Sequence, residues 1–116
     1  MSLIRHKPAK RLSEAVVING LAFLAGQVPG QTLEQDITAQ TTEVLAGIDT
    51  VLAELGTDKS KLIDATIFLA NIEDFEGMNI AWDAWVNPAQ LPSRATVEAK
   101  LAHPQWRVEI KVIAAL

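Results

Sequence analysis

The chain has 116 residues, a net charge of −4, a sequence pI near 5.0 and no cysteine. This length is that of one ordinary domain, residues 1–116, and the apolar share of 49% is typical of a globular protein. The lack of cysteine excludes disulfides, zinc–thiolate sites and a thiol nucleophile, and the acidic balance argues against nucleic acid as a partner.

The first predicted element is a basic N-terminal segment without a long apolar run. Its basic residues are Arg5, His6, Lys7, Lys10 and Arg11, and a solvated arm is favoured over a phosphate-binding patch. The segment also lacks the apolar core of a signal peptide, and the apolar stretches that follow are too short to span a bilayer. We therefore expect a cytoplasmic protein with no membrane partner.

A β-hairpin and a long helix are predicted next. Asn19-Gly20 separates "EAVVI" from "LAFLA", which is a strong hairpin signal. After the turn residues "VPGQT", apolar residues recur at helical spacing from Ile37 to Leu55, and Gly56 follows the last of them. The pattern predicts two paired strands followed by an amphipathic helix that ends before this glycine.

The second half of the chain predicts a strand, a second helix and two final strands. "LIDATIFLAN" is typical of a strand that is buried on both faces. The second helix begins near Glu73 or Asp74 and ends at Asn87-Pro88, and its aromatic and methionine side is interpreted as core packing. Two strands follow at about residues 94–101 and 107–115. The order of the elements predicts an α+β fold with both helices on one face of the sheet.

Side-chain alternation divides the last two strands between two faces of the sheet. Their apolar residues, from Ala95 and from Val108 onward, are expected to face the helices. Arg94, Thr96 and Glu109 are then expected to share the opposite face, which no helix covers. Because the earlier strands also place apolar residues on that face, we expect it to pack against another subunit.

Three segments carry a recognisable pattern: "LAGQVP", "PSRATVEA" and "RVEIKVIA". They resemble the reactive intermediate deaminase family, also called the YjgF or RidA family, and the resemblance extends over nearly the whole chain. Its most specific part is the C-terminal pair Arg94 and Glu109, and the short YoaB-like branch is the most similar. The resemblance implies a chorismate-mutase-like fold, with a six-stranded mixed sheet and two helices on one face. It also implies a homotrimer with a ligand cleft between neighbouring subunits and no cofactor.

The resemblance further implies an enamine/imine deaminase, which hydrolyses short 2-imino acids such as 2-iminopropionate, formed from 2-aminoacrylate, to 2-keto acids and ammonia. A planar guanidinium grips a carboxylate through two parallel hydrogen bonds, which is the role expected of Arg94. A carboxylate can activate water as a general base, which is the role expected of Glu109. The resemblance places four further residues against the imino or keto carboxylate: Gly26, Gln27, Asn79 and Thr96.

Two positions depart from the family pattern, and two other functions stay open. Leu12 stands where the family commonly has a tyrosine, and Ala25 replaces a serine. A non-catalytic binder of small carboxylates such as 2-ketobutyrate is therefore the main alternative. Endoribonuclease activity is disfavoured by the acidic pI and by the lack of a histidine pair, because His6 and His103 lie far apart in the sequence. Neither histidine has metal-ligand spacing, so no metal site is expected.

The topology of the last strand is decisive for any site that contains both charged residues. If the last two strands formed a plain hairpin, Arg94 would lie roughly 16 Å along the strands from Glu109. A shared ligand would then be out of reach within that arrangement. The deaminase hypothesis therefore requires the last strand to lie beside the central strand instead.

Overall fold

The computed structural model describes residues 2–116, which form six strands and two α-helices. The elements in chain order are β1 (Leu3–Pro8), β2 (Ser13–Ile18), β3 (Leu21–Leu24), α1 (Ile37–Glu54), β4 (Leu62–Leu69), α2 (Phe75–Trp85), β5 (Ser93–Glu98) and β6 (Val108–Ala115). Short 3-10 turns at Lys59–Lys61 and Ile72–Asp74 precede β4 and α2. Within residues 2–116, no helix combines the length and the apolar character that crossing a membrane requires.

All six strands belong to one mixed sheet in the order β1-β2-β3-β6-β4-β5. The pair β4–β5 is parallel, and the other neighbouring pairs are antiparallel. The last strand, β6, therefore lies beside β4 and not beside β5. This topology confirms the placement that the sequence analysis required, and the predicted α+β fold with a six-stranded mixed sheet is confirmed with it.

The predicted hairpin and helix end are confirmed by their backbone angles. Asn19 and Gly20 have φ values of 52° and 74°, the pair of positive values that a tight hairpin turn needs. Gly56, with φ of 80°, follows α1 and donates its N–H to the carbonyl of Ala53. Both turns therefore lie where the sequence places residues that tolerate a left-handed backbone.

The predicted solvated N-terminal arm was wrong, because Leu3–Pro8 forms the edge strand β1. Its backbone pairs with β2, and two of its side chains reach α1. His6 Nε2 lies 2.8 Å from Glu54 Oε1, and Lys7 Nζ donates to Glu54 Oε2 at 2.9 Å. Most side chains of β1 are exposed, so this strand carries no burial pattern that a sequence analysis can detect.

The core fills the space between the sheet and the two helices, and one buried amide ties it to two loops. Gln40 on α1 is fully buried. Its Nε2 donates to the carbonyls of Leu33 and Gln105, and its Oε1 accepts from the N–H of Arg107 at 2.8 Å. Because a buried amide requires hydrogen-bond partners, these bonds fix the loop before α1 and the loop between β5 and β6 against the helix.

The carboxylate of Glu43 on α1 holds the segment that follows the predicted cleft loop. It accepts hydrogen bonds from the N–H groups of Gly30, Gln31 and Thr32 and from Thr32 Oγ1 at 2.6 Å. Partial burial raises the pKa of Glu43, but the hydrogen bonds from Thr32 Oγ1 and from the three N–H groups lower it, and the net effect holds this pKa below its ordinary value. Folding therefore favours the ionised form of this carboxyl group.

We expect Glu43→Gln to lower the free energy of unfolding by about 1 kcal/mol at neutral pH. The folded-state pKa lies below the unfolded value, so the contribution of Glu43 is present above the unfolded value and is lost as the pH falls through the folded one. Urea unfolding at neutral and at acidic pH measures this effect. The difference in the free energy of unfolding between Glu43→Gln and the parent should be smaller at acidic pH. Glu34→Gln, at an exposed position, is the control and should show no such change.

Candidate functional site

The structure places Arg94 and Glu109 on opposite faces of the sheet. Arg94 pairs with Ala65, which is fully buried on the helix side, whereas Glu109 pairs with Phe68 on the other side. The expectation that both residues share the helix-free face was wrong. From the register, the two residues are separated by roughly 10 Å along the strands and roughly 10 Å across them. Within one chain they therefore cannot hold the same small molecule.

The pattern of polar and apolar residues predicted the wrong face for the side chains of β5, because both faces of this sheet carry apolar residues. Ala95 and Val97 lie on the open face, where Val97 is 42% exposed. Phe68 and Phe23 lie on the same open face and are only half-buried. An apolar residue in β5 therefore does not indicate the helix side. On β6 the prediction was correct, since Val108 and the alternate residues after it are buried under the helices.

Arg94 belongs to a group on the helix side that we call the arginine half-site, consisting of Phe75, Asn79, Trp82 and Arg94. Arg94 Nη1 donates to Asn79 Oδ1 at 2.9 Å. Its guanidinium carbon lies 5.2 Å from the ring centroid of Trp82 and 5.8 Å from that of Phe75. A cleft of about 470 Å³ opens beside it. Its walls are Glu76, Asn79, Trp82, Asp83, Val86, Pro88, Leu91 and Arg94.

Thr96 lies on the same face as Arg94, two residues further along β5. It pairs with the fully buried Ile67, and about 7 Å of strand separates it from Arg94. Its hydroxyl group is buried and has no hydrogen-bond partner among residues 2–116. Because a buried hydroxyl normally finds a partner, Thr96 adds an unused polar group to the helix side of β5.

Glu109 lies on the open face against Gly26, and these two residues with the adjacent backbone of Gln27 form a second group, which we call the glutamate half-site. The side chain of Gln27 lies on the helix side, because this residue pairs with the buried Ile110 and its Oε1 lies near Gly47 of α1. A Cβ atom on Gly26 would lie 2.9 Å from Glu109 Cδ and closer still to one carboxylate oxygen. Gln27 pairs through its backbone with Ile110, with bonds of 2.8 and 3.0 Å, and its side chain donates to Glu14. The carboxylate of Glu109 thus packs directly against a glycine backbone.

Sequence reasoning missed the contacts that Phe75 and Trp82 make with Arg94. The signal was present, because Phe75, Asn79 and Trp82 are spaced i, i+4, i+7 and so share one face of a helix. The aromatic stripe was interpreted as core packing alone. That interpretation is correct for Trp82 in part, since it is 5% exposed, but the same ring also faces a guanidinium.

The two half-sites offer different chemistry. The arginine half-site can bind an anion, because it presents a planar cation whose orientation is held by neighbours. The glutamate half-site offers a carboxylate for proton transfer. Within residues 2–116, no three His, Asp or Glu side chains are grouped so that they could hold a metal ion.

Known proteins of one family are similar to this chain over nearly its whole length. The sequence profile of the family described as Endoribonuclease L-PSP matches residues 4–116. A RutC family protein of Haemophilus influenzae is 53% identical over 114 residues, 98% of each chain. The RutC family protein YoaB of Escherichia coli is 45% identical over 116 residues, 100% of each chain. The crystal structure of a YjgF-family protein from Neisseria meningitidis matches with a TM-score of 0.90 and 49% identity, covering 99% of this chain and 95% of that one.

Proposed function

The chain belongs to the Rid/YjgF/L-PSP family, and from this premise we propose that it hydrolyses short 2-imino acids to 2-keto acids and ammonia. The observation that carries the proposal is the arginine half-site. There, Arg94 is hydrogen-bonded to Asn79 and lies beside an open cleft. A 2-imino acid such as 2-iminopropionate presents a carboxylate next to the C=N carbon, so an oriented guanidinium fixes the reacting carbon as well.

Arg94 can bind the substrate carboxylate without giving up its contact with Asn79. A guanidinium has five N–H donors, and the Asn79 Oδ1 bond engages Nη1. Other donors of the guanidinium remain for a carboxylate, which prefers two parallel bonds. Lysine would attract the same anion but would not set its rotation.

We place the complete site between two copies of the chain, because one chain holds its half-sites apart. The open face carries apolar side chains from five strands: Val16, Phe23, Phe68, Val97 and Ile113. An apolar face of this extent without a covering helix is expected in an oligomer. In the homotrimer that we propose, Arg94 of one copy lies near Glu109 of the next copy at each subunit interface.

In the proposed reaction, water adds to the C=N carbon and ammonia leaves. The water oxygen bonds to C2 while Glu109 takes one of its protons, and the C=N bond becomes a C–N single bond. Glu109 returns this proton to the nitrogen, giving a carbinolamine. It then carries the hydroxyl proton to the nitrogen as the C–N bond breaks and C=O forms. Such acid–base help contributes typically 10²–10⁴-fold.

The direct test uses 2-aminoacrylate that is generated in the assay and tautomerises to 2-iminopropionate. We expect the protein to accelerate pyruvate formation above the rate in buffer, with ammonia released in equal amount. Heat-denatured protein at the same concentration is the control. An unchanged rate of pyruvate formation would reject the proposed function.

A mixing experiment tests whether the site is shared between copies. Arg94→Ala and Glu109→Gln should each be nearly inactive alone. The two variants are mixed in equal amounts, unfolded and refolded together. Because the interface is head-to-tail, about a quarter of the subunit interfaces should then combine an intact Arg94 with an intact Glu109. Pyruvate formation should then return in the mixture. Mixed oligomers that stay inactive would contradict a site that is shared between copies.

Gly26→Ala is expected to reduce kcat about tenfold or more while leaving the fold stable. The added methyl group would overlap the carboxylate of Glu109, and a shift of about 1 Å in a catalytic group can cost 10²-fold. Gly30→Ala is the control, because the nearest atom to a Cβ there, Glu43 Oε2, lies at an ordinary 3.7 Å and belongs to neither half-site. Equal kcat values for Gly26→Ala and the parent would show that this contact does not position Glu109.

A carboxylate binder without turnover is the second candidate. It is favoured by the fact that the arginine half-site is complete in one chain and does not need Glu109. Leu12, which is 57% exposed, also offers no polar group at the position where the family commonly has a tyrosine. Calorimetry that shows 2-ketobutyrate binding dependent on Arg94, without pyruvate formation from 2-aminoacrylate, would favour this function.

Endoribonuclease activity is named in the description of the family, but features of this chain weigh against it. The net charge is −4, and two of the N-terminal basic residues, His6 and Lys7, contact Glu54. A labelled RNA incubated with the same preparation should remain uncleaved at low salt.

A further inference from the structure

We propose that Trp82 and Asn79 are positioning residues that orient the guanidinium of Arg94, so that a carboxylate can approach it only along one free edge. The inference rests on the proposed function in taking Arg94 as the carboxylate-binding group. It adds that the aromatic and amide side chains of α2 determine how this group presents its donors.

The first observation is that Arg94 lies close to two rings of the same helix. Phe75 and Trp82 are seven residues apart, which is two turns or about 10.5 Å along the helix axis. The guanidinium carbon lies 5.8 Å from one ring centroid and 5.2 Å from the other. Each ring is therefore within the range of a cation–π contact with the guanidinium.

The second observation is that Asn79 occupies the middle of the same helix face. Its Oδ1 accepts from Arg94 Nη1 at 2.9 Å, and it is four residues after Phe75 and three before Trp82. One hydrogen bond in the guanidinium plane, together with rings beside the guanidinium, removes the freedom of Arg94 to rotate. A free arginine side chain would lose this freedom only on binding its ligand.

The third observation is that Trp82 is 5% exposed, so its ring keeps water away from one side of the cation. Cation–π contacts are strongest where the cation is desolvated. A carboxylate bonds to a guanidinium in the plane of its N–H groups. Asn79 occupies Nη1 of Arg94, and the rings lie beside the guanidinium. The substrate carboxylate therefore binds along the remaining free edge of the guanidinium.

Two variants and a matched control test this inference through the Kd of 2-ketobutyrate, measured by calorimetry. Trp82→Leu should raise Kd about tenfold, while Trp82→Tyr, which keeps an aromatic face, should stay within about threefold of the parent. Trp106→Leu is the control, because this tryptophan stacks on His103 in the loop between β5 and β6 and does not contact Arg94 or Trp82. Its Kd should equal that of the parent.

Asn79→Asp separates positioning from stability. A carboxylate at this position would pair with Arg94 and compete with the ligand, so Kd should rise more than tenfold. The same ion pair should leave the melting temperature unchanged or higher. A role in packing alone would instead lower stability and affinity together.

The nitrogen NMR signals of the Arg94 guanidinium provide a readout that needs no ligand. Hindered rotation should give separate Nη signals in the parent and in Trp106→Leu, and averaged signals in Trp82→Leu. Separate Nη signals in a parent that binds 2-ketobutyrate but forms no pyruvate would reject the proposed hydrolysis and still support this inference. Averaged signals in the parent, or equal Kd values for Trp82→Leu and Trp106→Leu, would overturn the inference.

Discussion

Replacing Arg94 with alanine is expected to lower kcat/KM for 2-iminopropionate by about 10²–10⁴-fold. Two charge-assisted hydrogen bonds to the substrate carboxylate are lost, each worth about 1.5–3 kcal/mol. Because these bonds hold the substrate, the loss should appear mainly in KM and in the Kd of 2-ketobutyrate. Arg94→Lys should recover little of it, since a lysine ammonium cannot form the paired contact.

The control for this prediction is Arg107→Ala, another arginine in the same part of the fold. Arg107 Nη1 lies 3.8 Å from Asp74 Oδ2, and its side chain is 49% exposed. A surface pair of this kind contributes little, so kcat/KM should not change. If Arg94→Ala and Arg107→Ala had the same activity, Arg94 would not be the carboxylate-binding group.

Replacing Glu109 with glutamine is expected to lower kcat by about 10²–10⁴-fold with little change in the Kd of 2-ketobutyrate. Glutamine keeps the shape of the side chain next to Gly26 but cannot accept a proton from water. The expected pattern is therefore the reverse of that for Arg94→Ala, in which binding is lost. Single-turnover pyruvate formation and calorimetry on the same preparation measure the two effects.

Glu34→Gln is the matched control for the second prediction, because it makes the same change at an exposed position. Its kcat should equal that of the parent. A Glu109→Gln protein with full kcat would show that water is activated by another group. A Glu109→Gln protein that no longer binds 2-ketobutyrate would place Glu109 in substrate binding.

Most of the fold could be predicted because its elements carry strong local signals. The hairpin at Asn19-Gly20 and the helix that ends before Gly56 depend on backbone angles that few residues tolerate. The edge strand β1 could not be predicted, since backbone pairing holds it while most of its side chains face solvent. Its contacts with Glu54 join positions more than 40 residues apart, and local patterns do not contain such information.

The residues of the candidate site were easier to find than their arrangement. Arg94 and Glu109 were identified through the family resemblance, but their faces were assigned from polarity. Polarity fails where both faces of a sheet are apolar, as the half-buried Phe23 and Phe68 on the open face show. Only the register of β5 against β4, with Arg94 opposite Ala65, fixes the correct face.

The position of β6 has a consequence for synthesis on the ribosome. This strand follows the other five in the chain, yet it lies between β3 and β4. Until it emerges, the β1–β3 meander and the β4–β5 pair have no common partner, and their inner edges stay unpaired. Native assembly must therefore wait until translation reaches Val108–Ala115, and nascent chains that stall earlier present open strand edges to chaperones.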